Sequence, residues 1–342
     1  MDKKFQNLHT DEWLKEIRLR SESEGYKPEE MITCKKCQRK NPPTRLNCMY
    51  CGVDLVFDEG ESQRLKPILR KMESHIKGFN LIYTANLETW NEIHLSEVSK
   101  MTRISKTSLQ RLFESKKSMP LARVETKKEI EIVAKRLSEN GINTRILGDD
   151  EFKEEKFPRR LRRIEFSDDK LIFILFNNDE ILEVKNQDIN LIVAGALFEK
   201  KLESTEKYKK NKESKILETD EISSDEFLLD IYTKNDLIGY RISQKGFDFS
   251  CLGGDKKMLA TENIKILISK LRNFSPNAEF DGDYLKVRES LSQVWEIEER
   301  KESKGLKRKS FGSFNRQNIT TTNNLLQFTK YSRLQWLLKS GE

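Results

Sequence analysis

The sequence predicts an α+β chain assembled from several small domains, and three observations carry that expectation. Two Cys-x-x-Cys pairs, Cys34/Cys37 and Cys48/Cys51, stand ten residues apart. From Phe79 to Leu147 short apolar runs alternate with helical periodicity, and beyond Pro158 the period changes to two. The chain has 342 residues, more than one core usually organises. Hydrophobic residues make up 36% and charged residues 35%, with a mean hydropathy of −0.72. That balance suits small domains joined by charged connectors better than one large globule.

Residues 1–30 are expected to form a helix and a linker. Thr10 is a suitable N-cap, and Trp13, Leu14 and Ile17 share one helical face. The cysteine segment occupies 31–56. A helix over Leu65–Ile76, stopped by Gly78, opens a unit spanning 63–150. Its remaining order is strand (Leu81–Thr84), helices around Leu95–Met101 and Thr107–Glu114, strand (Met119–Val124), helix and strand (Thr144–Leu147). The last helix is the best specified in the chain. Thr126 and Glu129 suit a capping box, Ile130, Val133, Ala134 and Leu137 line one face, and Asn140-Gly141 ends it. This order describes a small α/β sandwich.

Residues 158–275 read as β-rich. Seven strands are expected at Leu161–Phe166, Lys170–Phe176, Glu180–Lys185, Ile189–Phe198, Phe227–Thr233, Leu237–Ile242 and Phe247–Cys251, with turn residues between several of them. A charged, serine-containing insertion at 199–225 reads as a disordered loop. A helix over Thr261–Asn273 closes the set, with Ile264, Leu267, Ile268 and Leu271 on one stripe. Seven strands and a closing helix resemble the pleckstrin-homology-like β-barrel in architecture. Residues 276–342 are expected to hold a helix at Tyr284–Val294, a basic stretch at Arg300–Arg316 and an aromatic tail. The segment Asn324–Leu338 carries so little charge that it must bury itself on the body or on a partner.

The cysteine spacing is the strongest chemical signal. Each pair grips one side of a tetrahedral ion, and four thiolates leave no position for water, so one structural Zn²⁺ is the expected cofactor, held by Cys34, Cys37, Cys48 and Cys51. Metal would supply much of the folding energy of so short a segment. The pattern Cys34-x2-Cys37-x3-Asn41-x6-Cys48-x2-Cys51 resembles the Ran-binding-protein type of zinc finger, whose members bind single-stranded RNA or ubiquitin. With Asn41-Pro42-Pro43 and Met49-Tyr50-Cys51-Gly52 it is also similar to the bacterial zinc ribbons attached to multidomain proteins, and this is the preferred resemblance. Lys35, Lys36, Arg39, Lys40 and Arg45 surround the cysteines. They either touch nucleic-acid phosphates or compensate the charge of about −2 on a Zn(Cys)₄ centre.

Ser99 to Leu112 resembles a helix-turn-helix, in which Lys106, Thr107, Gln110 and Arg111 would face DNA, with Arg103 at the turn where glycine is usual. The surrounding strand and helix order is instead similar to the C-terminal domain of the ribosomal stalk protein and to the Clp protease adaptor, which bind other proteins.

The net charge is +7, from 63 basic and 56 acidic residues. Such a mild excess is compatible with an anionic partner and demonstrates none. No apolar run approaches the ~18 residues of a membrane helix, and the N-terminus lacks a secretory pattern, so no transmembrane segment and a cytoplasmic location are expected. His9, His75 and His94 lie in unrelated contexts, no phosphate-binding loop or nucleophile elbow is present, and Cys251 reads as a small core residue. The expectation is a non-enzymatic zinc-ribbon adaptor or scaffold that binds proteins. The alternative is a nucleic-acid-binding regulator using the basic ribbon and the helix-turn-helix-like segment.

Overall fold

A computed structural model describes residues 26–57, 69, 72, 76–85, 90–209, 212–310 and 313–340. The helices expected at Thr10–Ile17 and Leu65–Ile76 lie largely outside these residues. The chain divides into two units, Met1–Leu69 and Arg70–Glu342.

The first unit contains the cysteine module. Strands β1 (Ile32–Thr33) and β2 (Lys40–Asn41) pair antiparallel, and a second small loop is closed by the bridge between Asn47 and Asp54. Within residues 31–56, Ile32 and Leu55 are the only large aliphatic side chains shielded almost completely, which is too little apolar surface to hold a fold alone.

In the second unit, β3 (Phe79–Tyr83), β4 (Met119–Val124) and β5 (Thr144–Gly148) form a sheet in the order β4-β3-β5, antiparallel throughout. Helices α1 (Glu92–Thr102), α2 (Lys106–Glu114) and α3 (Lys127–Glu139) complete the expected order. The Thr126 hydroxyl accepts from the Glu129 N–H, and Ile130, Val133 and Leu137 are fully buried. Gly141 takes φ +75° so that its own N–H and that of Ile142 reach back to Ser138 and Leu137.

The larger sheet corrects the barrel expectation. Strands β6 (Arg159–Ser167), β7 (Lys170–Leu175), β8 (Ile181–Lys185), β9 (Ile189–Lys209), β10 (Lys212–Thr233), β11 (Asp236–Ser243), β13 (Glu298–Ser310) and β14 (Ser313–Asn323) run in the order β13-β14-β9-β10-β11-β6-β7-β8, and β12 (Glu279–Asp281) pairs with β9. It is mostly antiparallel, with parallel pairing at β11/β6 and β12/β9, and it does not close.

The reason is that helices cover both faces. Helix α4 (Ala260–Phe274) places Ile264, Leu267 and Leu271 against Ile192, Leu229, Ile231, Tyr240 and Ile242. On the opposite face, α6 (Leu325–Ser340) packs Phe328 against Gly195 of β9 and donates Trp336 Nε1–H to the Thr233 carbonyl at 2.9 Å. A sheet buried on both sides needs continuous apolar strands, and the run from Ile189 to Phe198 is one. A Cβ at Gly195 would stand 2.3 Å from Cε2 of the Phe328 ring, whose surroundings cannot yield. Gly195→Ala should therefore cost about 1–3 kcal/mol by overpacking, read as a lower thermal midpoint with the fold retained.

Three further expectations are corrected. The insertion at 199–225 is not a loop: it continues β9 and β10 as a long antiparallel ribbon, and β14 and β13 add to its side to make a four-stranded arm. Its polar side chains could not build a core, but the backbone finds hydrogen bonds in strands over 100 residues away. The strand expected at Phe247–Cys251 is instead entered by a bridge at Asp248 and continues as a 3-10 turn over Phe249–Asp255, because the Asp248 carboxylate accepts from the Ser250 N–H. Residues 276–342 are not a tail. They supply β12, α5 (Tyr284–Leu291), the β13-β14 hairpin and the buried helix α6.

The boundaries expected near 150–158 and 275 fall inside one unit, and buried polar bonds explain why. Trp295 donates to Asn80 Oδ1 at 2.8 Å, Asn80 donates to Asp149 at 2.9 Å, and Arg123 pairs with Asp149 at 2.7 Å. Burial works to raise the Asp149 carboxyl, but Arg123 and Asn80 outweigh it and hold it below the usual range. Arg333, fully buried on α6, donates to the carbonyls of Phe152 and Lys153 at 2.8 and 2.7 Å and also to that of Lys156.

Candidate metal centre

Two turns of the same design build the site. In the first, the Gln38 N–H bonds the Cys34 carbonyl at 2.8 Å; in the second, the Gly52 N–H bonds the Cys48 carbonyl at 2.9 Å. Both residues follow the second cysteine of a pair and both have positive φ, +57° and +71°. That backbone turn aims the two sulfurs of each pair at a common point. Glycine enters it freely, and Gln38 bears the steric cost of a side chain there.

The register of β1 and β2 then brings the pairs together. Sγ of Cys34 lies 3.8 Å from Sγ of Cys51, and Sγ of Cys37 lies 3.5 Å from Sγ of Cys48. All four sulfurs fall within 4.8 Å of one another, and none is joined in a disulfide. A tetrahedral ion with sulfur at about 2.3 Å requires sulfurs about 3.8 Å apart. The donor set therefore fits one metal ion without rearrangement.

Asn41, fully buried, is the second support. Its Nδ2–H donates to the Arg39 carbonyl at 3.0 Å and toward Cys48 Sγ at 3.6 Å, while its Oδ1 accepts from the Met49 N–H at 2.9 Å. One side chain thus ties β2 to the second turn and offers a donor to a ligand sulfur. Burial works against the Cys48 thiolate, yet the Tyr50 and Cys51 N–H groups, Cys37 and Asn41 outweigh it and bring the thiol down to about 6. N–H bonding at Cys37, through Arg39, also favours its thiolate. Desolvation and the neighbouring sulfurs prevail there and push it up to about 11. Four crowded sulfurs cannot all shed protons without a cation among them, which is the electrostatic counterpart of the metal fit.

Lys35, Lys36, Arg39 and Lys40 are exposed around this centre, and Arg45 is half-buried. The Arg39 guanidinium stacks over the Tyr50 ring at 4.8 Å. Met49 and Tyr50, between the cysteines of the second turn, are 54% and 51% exposed. In the sequence these two carry only the resemblance to zinc ribbons and receive no role of their own. Their placement inside a Cys-x-x-Cys turn, where a side chain has no core to enter, was the available signal.

The helix-turn-helix-like segment has the backbone its spacing suggests. Arg103 takes φ +62° at the turn, and its N–H bonds the Ser99 carbonyl at 2.9 Å. Its cationic face is engaged within the chain. Lys106 pairs with Glu92, and Arg111 lies 2.7 Å from Glu289 on α5. Gln293 donates to Ser108 at 2.6 Å, so the start of α2 rests on the segment after α5. Gln110 donates to Glu114 within its own helix. Cys251 sits in the 3-10 turn, where burial raises its thiol. Among the described residues, no helix is long and apolar enough to cross a membrane.

Compared with protein-family models, curated proteins and solved structures, the chain matches none.

Proposed function

We propose that this protein is a non-catalytic adaptor in which a zinc ribbon recognises a partner protein and the larger unit serves as scaffold. Zinc is the ion that suits the site: four sulfur donors in a tetrahedral frame favour Zn²⁺, and a closed shell leaves it structural. Lys35, Lys36, Arg39, Lys40 and Arg45 then offset the charge of about −2 that four thiolates on the ion carry.

The observation that carries the adaptor reading is the surface made by Met49, Tyr50 and Arg39. Tyrosine, methionine and arginine are the types enriched where protein interfaces are driest, and here they stand together on a module the metal would hold rigid. The buried ionisable groups of the larger unit support a scaffold, since Asp149/Arg123 and Asp230/Arg241 are occupied with one another rather than aimed into a cleft. The pairing of Lys106 and Arg111 with acids favours this reading over DNA recognition through α2.

Affinity capture from the native cell with wild type, Met49→Ala/Tyr50→Ala and Cys48→Ser tests it. A protein that stays bound at high salt to wild type, and is lost at least ~tenfold from both variants, is the expected result. Capture indifferent to both variants, or retention only of nucleic acid that elutes with salt, contradicts it.

A further inference from the structure

The segment Gly253–Leu259, which joins the 3-10 turn to α4, is exposed at every position. It ends on two large apolar side chains. Met258 is fully exposed, at 101%, and Leu259 is 60% exposed. A single apolar residue on a surface is ordinary, but an adjacent pair at the tip of a loop is not.

Neither side chain serves the fold. Met258 buries none of its surface on the body. Leu259 occupies the N-cap of α4 and has no acceptor to offer the first turn. Helices α1, α2 and α3 start on Asn91, Ser105 and Thr126, whose side chains do accept there. Serine at position 259 would stabilise α4, so leucine there costs stability.

The backbone beneath the pair is nonetheless fixed. Asn263, in the first turns of α4, is 3% exposed. It accepts from the Lys257 N–H at 2.7 Å and donates to the Lys257 carbonyl at 2.9 Å. The N–H groups of Glu262 and Asn263 both reach the Leu259 carbonyl at 3.1 Å. Met258 is therefore held between two anchored residues and presented to solvent.

Shape and charge decide what this tip meets. A protein interface of standard size covers about 800 Å² on each partner. The tip offers two side chains, and a Cβ built on Gly253 or Gly254 would meet nothing within 4 Å. A lipid interface needs no matching surface, since it takes up apolar side chains in proportion to their area and adds attraction between cations and anionic headgroups. Lys256 and Lys257 directly precede the pair, both exposed, and neither forms an ion pair among the described residues. From position 255 to 272 the cations Lys256, Lys257, Lys265, Lys270 and Arg272 outnumber the acids Asp255 and Glu262, and an anionic leaflet attracts such an excess. We infer that Met258 and Leu259 insert into the interface of an anionic phospholipid membrane, with Lys256 and Lys257 against its headgroups. This site goes beyond the adaptor reading and does not depend on the zinc ribbon.

Flotation of the full-length protein with vesicles of phosphatidylcholine, alone or mixed with phosphatidylserine, is the test. Wild type should float with the mixed vesicles and less with phosphatidylcholine alone. Met258→Ser/Leu259→Ser should lower partitioning onto the mixed vesicles at least ~tenfold. Its thermal midpoint should stay level or rise, because serine caps α4. Lys256→Gln/Lys257→Gln should weaken both the preference for phosphatidylserine and its salt dependence. Ile181→Ser removes another apolar side chain of the same unit, 65% exposed on β8, and should float like wild type. The inference is overturned by absence of flotation with the mixed vesicles, by a double serine variant that floats like wild type or loses binding only with a lowered midpoint, or by equal loss in Ile181→Ser. A protein captured from the native cell by wild type and lost from the double serine variant, without vesicle binding, would also overturn it and assign the tip to a protein groove.

Discussion

Asp230→Ala should destabilise the larger unit by about 3–5 kcal/mol, the cost of leaving a buried cation without its partner. Asp230 lies on β10 and is fully buried; Arg241 lies opposite it on β11 and is 6% exposed. The pair is bidentate, with Arg241 Nε and Nη2 donating at 2.6 and 2.7 Å. The negative charge of Asp230 holds the Arg241 guanidinium in its charged form against burial. Around it Tyr232 donates to Ser332 at 2.9 Å, and Arg241 stacks over Phe328 at 5.1 Å, so the pair also fixes where α6 meets the sheet. Replacing both residues, as in Asp230→Leu/Arg241→Met, should recover most of the loss, because two apolar side chains of similar volume need no partner. Denaturant unfolding of the single and double variants measures this. A double variant no better than Asp230→Ala would mean that the contact with α6, not the charge, is what counts.

Cys48→Ser should abolish the fold of the cysteine module altogether while the larger unit melts as before. The module has Ile32, Leu55 and a two-residue strand pair for a core, so nearly all of its stability must come from the ion. Asn41 reinforces the same sulfur, at 3.6 Å, and Asn41→Ala should weaken metal binding without removing it. Limited proteolysis within 31–56, with the melting midpoint of the larger unit recorded alongside, reads both effects. Protection of that segment in Cys48→Ser would show that the backbone, not the metal, organises it.

Short-range features of this chain were legible in its sequence. Four cysteines at fixed spacing, the capped helix Lys127–Glu139 and the strand–helix–helix–strand–helix–strand order depend on neighbours within a few dozen residues. What escaped depends on distance. The segment 199–225 has the composition of a solvated loop, yet it pairs with itself as the β9/β10 ribbon, and β14, more than 100 residues further on, pairs with its first part. Helix α6 has no apolar stripe, because Gln327, Ser332 and Arg333 are buried among carbonyls and hydroxyls supplied by remote parts of the chain, Lys330 is buried against the Glu154 carboxylate, and Thr329 bonds back to the Leu325 carbonyl. The apolar run through β9 read as one side of a barrel because the helix covering its second face lies more than 100 residues further on.

The metal content of the purified full-length protein, by elemental analysis, is the most direct test of the account. One equivalent of zinc per chain is expected in wild type, resistant to dialysis and absent from Cys34→Ser/Cys48→Ser. No bound metal in wild type, with all five cysteines reacting as free thiols, or one equivalent of zinc retained by the double variant, would contradict it.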